Sequence, residues 1–178
     1  MVCTNSPSNR YHGLFGWTVG ATLDGIVVSG TVKATATYTG GLVGCANATT
    51  IRGCHADVDV SSTSQYTGGL VGGIGAGTTI SGCSSKGSVT STSDYAGGLA
   101  GGGGSGNFEI RDCVSSVETV GSTYVGGLIG YVSDDPAEWR NLVPMRYDAF
   151  SDTWHPADGS HPPKMFFKWR VNVLRTEE

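Results

Sequence analysis

The 178-residue chain holds 29 glycines, 15% charged residues and a formal net charge of -4 at pH 7, with no run of Lys or Arg longer than two. Nucleic acid and anionic membrane surfaces both call for a basic stripe that neutralises phosphates, so neither is an expected partner. No apolar run approaches the roughly 18 residues of a spanning helix, and membrane insertion is not expected.

Glycine and serine at this level can signal a flexible linker, but linkers lack evenly spaced Leu, Ile and Tyr. The first ten residues, MVCTNSPSNR, have no basic start, apolar core or small-residue cleavage site. They read as an N-terminal flank (1–10), not a secretory signal, so the chain either stays inside or is a piece of a longer exported one. The cysteines Cys3, Cys45, Cys54, Cys83 and Cys113 are odd in number and do not read as a closed disulfide framework.

From Tyr11 the chain repeats. Gly13-Leu14-Phe15-Gly16 returns as Gly41-Leu42-Val43-Gly44, Gly69-Leu70-Val71-Gly72, Gly98-Leu99-Ala100-Gly101 and Gly127-Leu128-Ile129-Gly130, and the leucines step by 28, 28, 29 and 29 residues. Each tetrapeptide is followed by a second signature: Leu23-Asp24-Gly25-Ile26, then Ile51-Arg52-Gly53-Cys54, Ile80-Ser81-Gly82-Cys83 and Ile110-Arg111-Asp112-Cys113. The interval from the motif leucine to this Ile or Leu grows from 9 to 11 residues, which marks it as a turn that tolerates insertion. Short alternating runs such as Val58-Asp59-Val60 come next, then a Ser/Thr stretch, then the next tyrosine.

No segment sustains apolar residues at i, i+3, i+4 and i+7, so helices are excluded. A fixed period between 20 and 50 residues signals stacked units that bury their apolar faces against one another. The expected fold is all-β, a parallel β-solenoid of about five rungs spanning 11–131, with three extended segments per period. A sandwich of hairpins is disfavoured, since no Asn-Gly or Asp-Gly turn separates paired runs. Beyond Tyr131 only Gly159 remains of the glycines, while five of the six prolines and three of the four tryptophans lie there, so the repeat ends. Residues 132–178, with the alternating run Phe167 to Val173, read as a cap on the last rung or the start of another module.

Gly-Gly-Leu-x-Gly followed by Ile-x-Gly-Cys resembles the GLUG repeat of large bacterial surface proteins, among them adhesin-like chains and some immunoglobulin A peptidases. The resemblance covers Tyr11 to about Tyr131. The first copy departs from it, with His12 in place of the leading glycine and Ile26 in place of Cys. The resemblance implies an exported setting and a surface or adhesive role. It carries over no catalytic residue, and the His-Glu-x-x-His zinc motif of metallopeptidases is absent.

Candidate sites are few. Cys54, Cys83 and Cys113 stand a whole rung apart, unlike zinc ligands, and read as small buried hydrophobes. Asp57 and Asp59 share one strand face without the further oxygen ligands calcium needs, and read as solvated. His155 and His161, with Asp152 and Asp158, fall in a turn-rich loop and read as exposed. No serine sits in a Gly-x-Ser-x-Gly elbow.

Two ladders are possible interaction surfaces. One is the variable motif position, Phe15, Val43, Val71, Ala100 and Ile129: strict alternation places it outside, whereas a parity reset at the glycine pair would put it in the core. The other is Tyr38, Tyr66, Tyr95 and Tyr124, which read as stacked aromatics or as a row for sugar rings. No enzyme and no cofactor are expected. The expected function is a non-enzymatic spacer or adhesive segment of a larger exported bacterial protein, extracellular or at the cell surface. Its partners would be a host or cell-surface protein or glycan and other segments of that larger chain. The alternative is a carbohydrate-active β-helix. Ice binding is weaker: the position three before each tyrosine reads Thr35, Thr63, Thr92 and Gly121, but the position just before it mixes Thr37, Gln65, Asp94 and Thr123.

Overall fold

The computed structural model describes residues 2–4, 10–104, 106–133, 145–148 and 153–156. No helix occurs among them. The chain winds as a parallel β-solenoid. Strand β1 (Val2–Thr4) precedes the first turn, which consists of β2 (Tyr11–His12), β3 (Phe15–Val19), β4 (Thr22–Asp24) and β5 (Val27–Ala34). The second turn is β6 (Tyr38–Gly40), β7 (Val43–Asn47), β8 (Thr50–Arg52) and β9 (His55–Ser62). The third is β10 (Thr67–Gly68), β11 (Val71–Ile74), β12 (Thr79–Ser81) and β13 (Ser84–Ser91). The fourth is β14 (Ala96–Gly97), β15 (Ala100–Gly103), β16 (Glu109–Arg111) and β17 (Val114–Val120), and β18 (Val125–Gly126) with β19 (Ile129–Val132) begins a fifth.

Each turn thus has four strands, not the three extended segments read from the period. The difference lies at Gly41-Leu42 and its equivalents, which bend the chain between β6 and β7 and split one expected segment in two. Equivalent strands stack into four parallel sheets. Face A is β1-β5-β9-β13-β17, face B is β2-β6-β10-β14-β18, face C is β3-β7-β11-β15-β19 and face D is β4-β8-β12-β16. The flank therefore contributes a strand to face A, and the solenoid runs on to Val132. The described residues form two compact units, one holding the solenoid to Ser133 and the other an antiparallel pair, β20 (Met145–Asp148) with β21 (Thr153–Pro156). The rest of the expected C-terminal cap, including Phe167 to Val173, lies outside the described residues.

The core is the inside of the stack. Leu42, Leu70 and Leu99 are fully buried, as are Ile51 and Ile80, which pair in register with Leu23 and Ile110 on face D. Each such side chain contributes about 1.5–3 kcal/mol. Face A alternates cleanly, with Ala56, Val58 and Val60 inward and His55, Asp57 and Asp59 outward on β9. At the corner that follows, the Ser/Thr stretches are not purely polar surface. Ser62 and Ser91 are buried, and their hydroxyls donate to the carbonyls of Ala36 and Ser64 at 3.3 Å.

The glycine pattern follows from how closely backbone meets backbone. A Cβ on Gly68 or Gly97 would lie 2.0 or 1.9 Å from the carbonyl oxygen of Val71 or Ala100, across the corner of the same rung. On Gly41, Gly69 or Gly98 it would lie 2.2–2.3 Å from the carbonyl oxygen of Gly69, Gly98 or Gly127 in the following rung. On Gly44, Gly72 or Gly101 it would approach the oxygen of the preceding rung's equivalent glycine to 2.5–2.6 Å. The first glycine makes the corner, and the second and third let neighbouring rungs approach. In the first copy His12 pairs with Thr39, not with Gly40, so that copy has lost one residue at the corner.

A second corner carries the glycine of Ile-x-Gly-Cys. Gly25, Gly53, Gly82 and Asp112 occupy it with φ of 63°, 57°, 61° and 52°, and Asp, whose short polar side chain tolerates the left-handed region, is an acceptable fourth member.

Gly98→Ala should destabilise the solenoid by about 1–3 kcal/mol or more through overpacking. Gly127→Ala, at the same motif position but with nothing within 4 Å of the added carbon, should be neutral or slightly stabilising. Urea unfolding of the two variants checks both; equal effects would show that rung-to-rung approach is not what the glycine serves.

Candidate functional site

The tyrosine ladder forms on the outside of the corner leading into face B. Ring centroids of Tyr11 and Tyr38 lie 5.4 Å apart, Tyr38 and Tyr66 4.9 Å, Tyr66 and Tyr95 4.7 Å, and Tyr95 and Tyr124 5.3 Å. Trp17 stacks on Tyr11 at 5.5 Å and Tyr131 lies 4.5 Å from Tyr95, so the row holds seven rings. Tyr66, Tyr95 and Tyr124 reach it from left-handed backbone, with φ of 56°, 64° and 53°. That conformation costs roughly 1–2 kcal/mol per residue, which aromatic stacking and burial offset. The rings also explain two glycines of face C: a Cβ on Gly73 would lie 2.5 Å from the Tyr38 ring, and one on Gly102 2.9 Å from the Tyr66 ring.

Each inner ring lies between two others, so its faces are occupied. A sugar ring needs an aromatic face to stack on. Such faces remain at the ends, where Trp17 and Tyr124 are the most exposed rings of the row. Burial and neighbouring groups push the Tyr38 and Tyr66 hydroxyls up from their ordinary pKa, so these two are neutral at physiological pH.

The other ladder is not a surface. Val43, Val71 and Ala100 are fully buried, and Phe15 and Ile129 at the two ends pack against the same cluster. Their register runs Phe15, Val43, Val71, Ala100, Ile129 along face C. The bend at Gly41-Leu42 breaks the alternation, so that Leu42 in the corner and Val43 at the start of β7 both point inward. Those five residues are thereby removed as an interaction stripe.

Cys54, Cys83 and Cys113 are buried in one column. Each thiol donates to the carbonyl two residues before it, at 3.4 Å for Arg52, 3.3 Å for Ser81 and 3.2 Å for Arg111. Burial pushes the Cys54 thiol up, and the hydrogen bond between Cys83 and Cys113 raises Cys83 and lowers Cys113, so the shielding of Cys113 rests on its burial. A protonated buried thiol is a poor nucleophile. Among the described residues no group of three or more His, Cys, Asp or Glu could hold a metal ion. Of the His155 and His161 loop only the backbone of the β21 segment is described.

What varies from rung to rung lies on the outer faces. On face A the outward columns read Val27, His55, Ser84, Val114; Ser29, Asp57, Lys86, Ser116; and Lys33, Ser61, Thr90, Val120. Ser88 donates to Asp59 at 2.8 Å, and His55 Nδ1 lies 2.8 Å from Ser84 Oγ. On face D, Arg52 pairs with Asp24 at 2.8 Å and holds its carboxyl below the usual range. No column of face A repeats one residue type throughout, whereas face D carries Thr22, Thr50 and Thr79 in one outward column.

The family model for the GLUG motif matches residues 35–61 and 63–90, the second and third turns with the corners that precede them. The chain carries GLUG repeats. The fourth turn continues the two GLUG segments in strand order and register. No curated protein and no solved structure matches the chain. Sequence reasoning found the GLUG tyrosine column but not Trp17 and Tyr131 as its end members. Both lie outside the tyrosine spacing and join the row through face C.

Two outcomes follow for these GLUG turns. In urea unfolding Tyr66→Phe should stay near wild type and Tyr66→Ala should be the least stable. Tyr66→Gly should fall between them, because it loses the stack but relieves left-handed strain of about 1 kcal/mol or more. Thiol labelling of the native protein, read by peptide mass spectrometry, should leave Cys54, Cys83 and Cys113 unmodified until denaturant is added. Rapid native modification of all three would contradict their place in the core.

Proposed function

We propose that this chain is a non-enzymatic structural module, a spacer or adhesive segment of a larger exported bacterial protein, working outside the cell or at its surface. The observation that carries this reading is the division of labour within the rung. The recurring positions, Leu42, Val43, Ile51, Cys54 and the glycines, are consumed by packing and close approach. Exposed positions on face A differ from rung to rung, as a recognition surface does and a purely internal scaffold need not. The partner would be a host or cell-surface protein or glycan that meets the Ser, Thr, Asp and Lys side chains of face A.

The carbohydrate-active alternative has one observation in its favour. Asp59 and Glu118 stand two rungs apart in one outward column, their backbones about 10 Å apart at the inter-strand spacing, near the roughly 6.5–9.5 Å between the carboxyls of an inverting pair. They lie on an open sheet face with Ser88 between them.

Antibody labelling of intact against permeabilised cells of the source organism tests the location. A glycan array with a polysaccharide depolymerase screen on the purified chain tests the role. Surface labelling without product release is the expected outcome. Release of reducing ends that Glu118→Gln abolishes would replace this reading with the alternative.

A further inference from the structure

The tyrosine row is longer and chemically narrower than packing requires. Five hops link Trp17 to Tyr131 through Tyr11, Tyr38, Tyr66 and Tyr95, and no ring centroid lies more than 5.5 Å from the next. Tyr124 branches from the same path, 5.3 Å from Tyr95. Six of these seven rings are phenols and the seventh is an indole, the two aromatic side chains that give up an electron readily. Phenylalanine also stacks, and the chain has five of them. It sets Phe15 and Phe108 against the core, yet no described phenylalanine joins the row. The spacing is kept short by features that packing alone would not single out: Gly73 and Gly102 leave room for the Tyr38 and Tyr66 rings, and Tyr66 and Tyr95 hold left-handed backbone. Aromatic systems this close to contact exchange single electrons fast.

We propose that the row is a relay for single electrons, moving one-electron oxidation from Trp17 along the stack to Tyr95 and Tyr131. The oxidant is a diffusible radical. It takes one electron from the Trp17 indole and becomes the corresponding anion, while the Nε1 proton leaves to solvent. The neutral indolyl radical then takes one electron from Tyr11. The phenolic proton of Tyr11 is released and the indole nitrogen takes one up, so Trp17 is restored and a phenoxyl radical stands on Tyr11. Each later hop exchanges a phenoxyl for a phenol: one electron and one proton pass to the oxidised ring, and only the radical site moves. A diffusible ene-diol reductant that meets the row returns one electron and one proton and ends the sequence.

The chemistry of the rings gives the relay a direction. At neutral pH an indolyl radical oxidises a phenol and the reverse is unfavourable, so the one indole is the entry and the phenols carry the radical onward. Trp17 is 58% exposed, within reach of an oxidant in solution. Desolvation keeps the Tyr38 and Tyr66 hydroxyls protonated, so a proton moves with the electron at those hops. The relay does not depend on the surface role proposed above.

Pulse radiolysis of the full chain with azide radical, which oxidises tryptophan in preference to tyrosine, tests the relay. The part of the signal that Trp17→Phe removes should show indolyl absorption decaying into phenoxyl absorption at a rate independent of protein concentration. Tyr11→Phe keeps the ring but not the oxidisable hydroxyl, and that conversion should slow sharply. Tyr66→Phe should leave the first step unchanged. It should also confine the Trp17-dependent oxidation products, mapped by peptide mass spectrometry, to Tyr11 and Tyr38, whereas the wild type carries them to Tyr95 and Tyr131. Every substitution retains an aromatic ring, and circular dichroism confirms folding; if Tyr11→Phe or Tyr66→Phe is unfolded, Tyr38→Phe interrupts the same path. A row that serves packing alone predicts the same kinetics and products in Tyr11→Phe and Tyr66→Phe as in wild type, and that result overturns the proposal. So does indolyl decay without phenoxyl growth, or wild-type oxidation that stops at Tyr11 and Tyr38.

Discussion

The whole molecule depends on one contact, the approach of backbone to backbone at Gly41, Gly69 and Gly98, where a carbonyl oxygen of the next rung occupies the place of a side chain. Four parallel sheets share each rung, so a misfit at one corner would be carried into the hydrogen bonds of all four. Leucine in the adjacent corner then fills the interior at a fixed height, and Ile and Cys do so on the far side. The tetrapeptide is therefore a statement about distance before it is one about composition. Gly127 shows the converse, since among the described residues nothing lies within 4 Å of the carbon that an alanine would add there.

The stacking fold was legible from the leucine steps alone, and the aromatic column from the tyrosine steps. The number of strands was not. A period of 28 or 29 residues fits three long segments as readily as four short ones, and the choice rests on whether Gly41-Leu42 continues a strand or turns it. The same ambiguity hid the direction of Val43: alternation is reliable only within a strand, and the corner falls between Leu42 and Val43. The left-handed backbone of Tyr66 and Tyr95 was equally out of reach, because that conformation is rarely occupied by a bulky residue and is held here by stacking. At Asp112, by contrast, the replacement of a motif glycine by aspartate was a readable sign of a left-handed corner.

Functional information in such a chain is sorted by position. Packing fixes the inside and the glycines, so those residues report on the fold whatever the protein binds. Face A carries a different residue in almost every cell of a regular lattice, with rows near 4.8 Å apart along the stack. The tyrosine row first suggests a ligand platform, yet its inner ring faces are used by neighbouring rings. What remains available there is the two end rings, Trp17 and Tyr124.

The rung also sets the mechanical character of the chain. Folded, 28 residues advance the stack by about 4.8 Å, whereas the same residues drawn out straight span about 95 Å at 3.4 Å each. Tension along the stack would be met one rung at a time, since each rung holds chiefly to its immediate neighbours. Every rung that peels away lengthens the chain roughly twentyfold over its folded contribution and leaves a fresh edge of the same register behind it. A stack built this way yields in steps and can rewind on the template that remains.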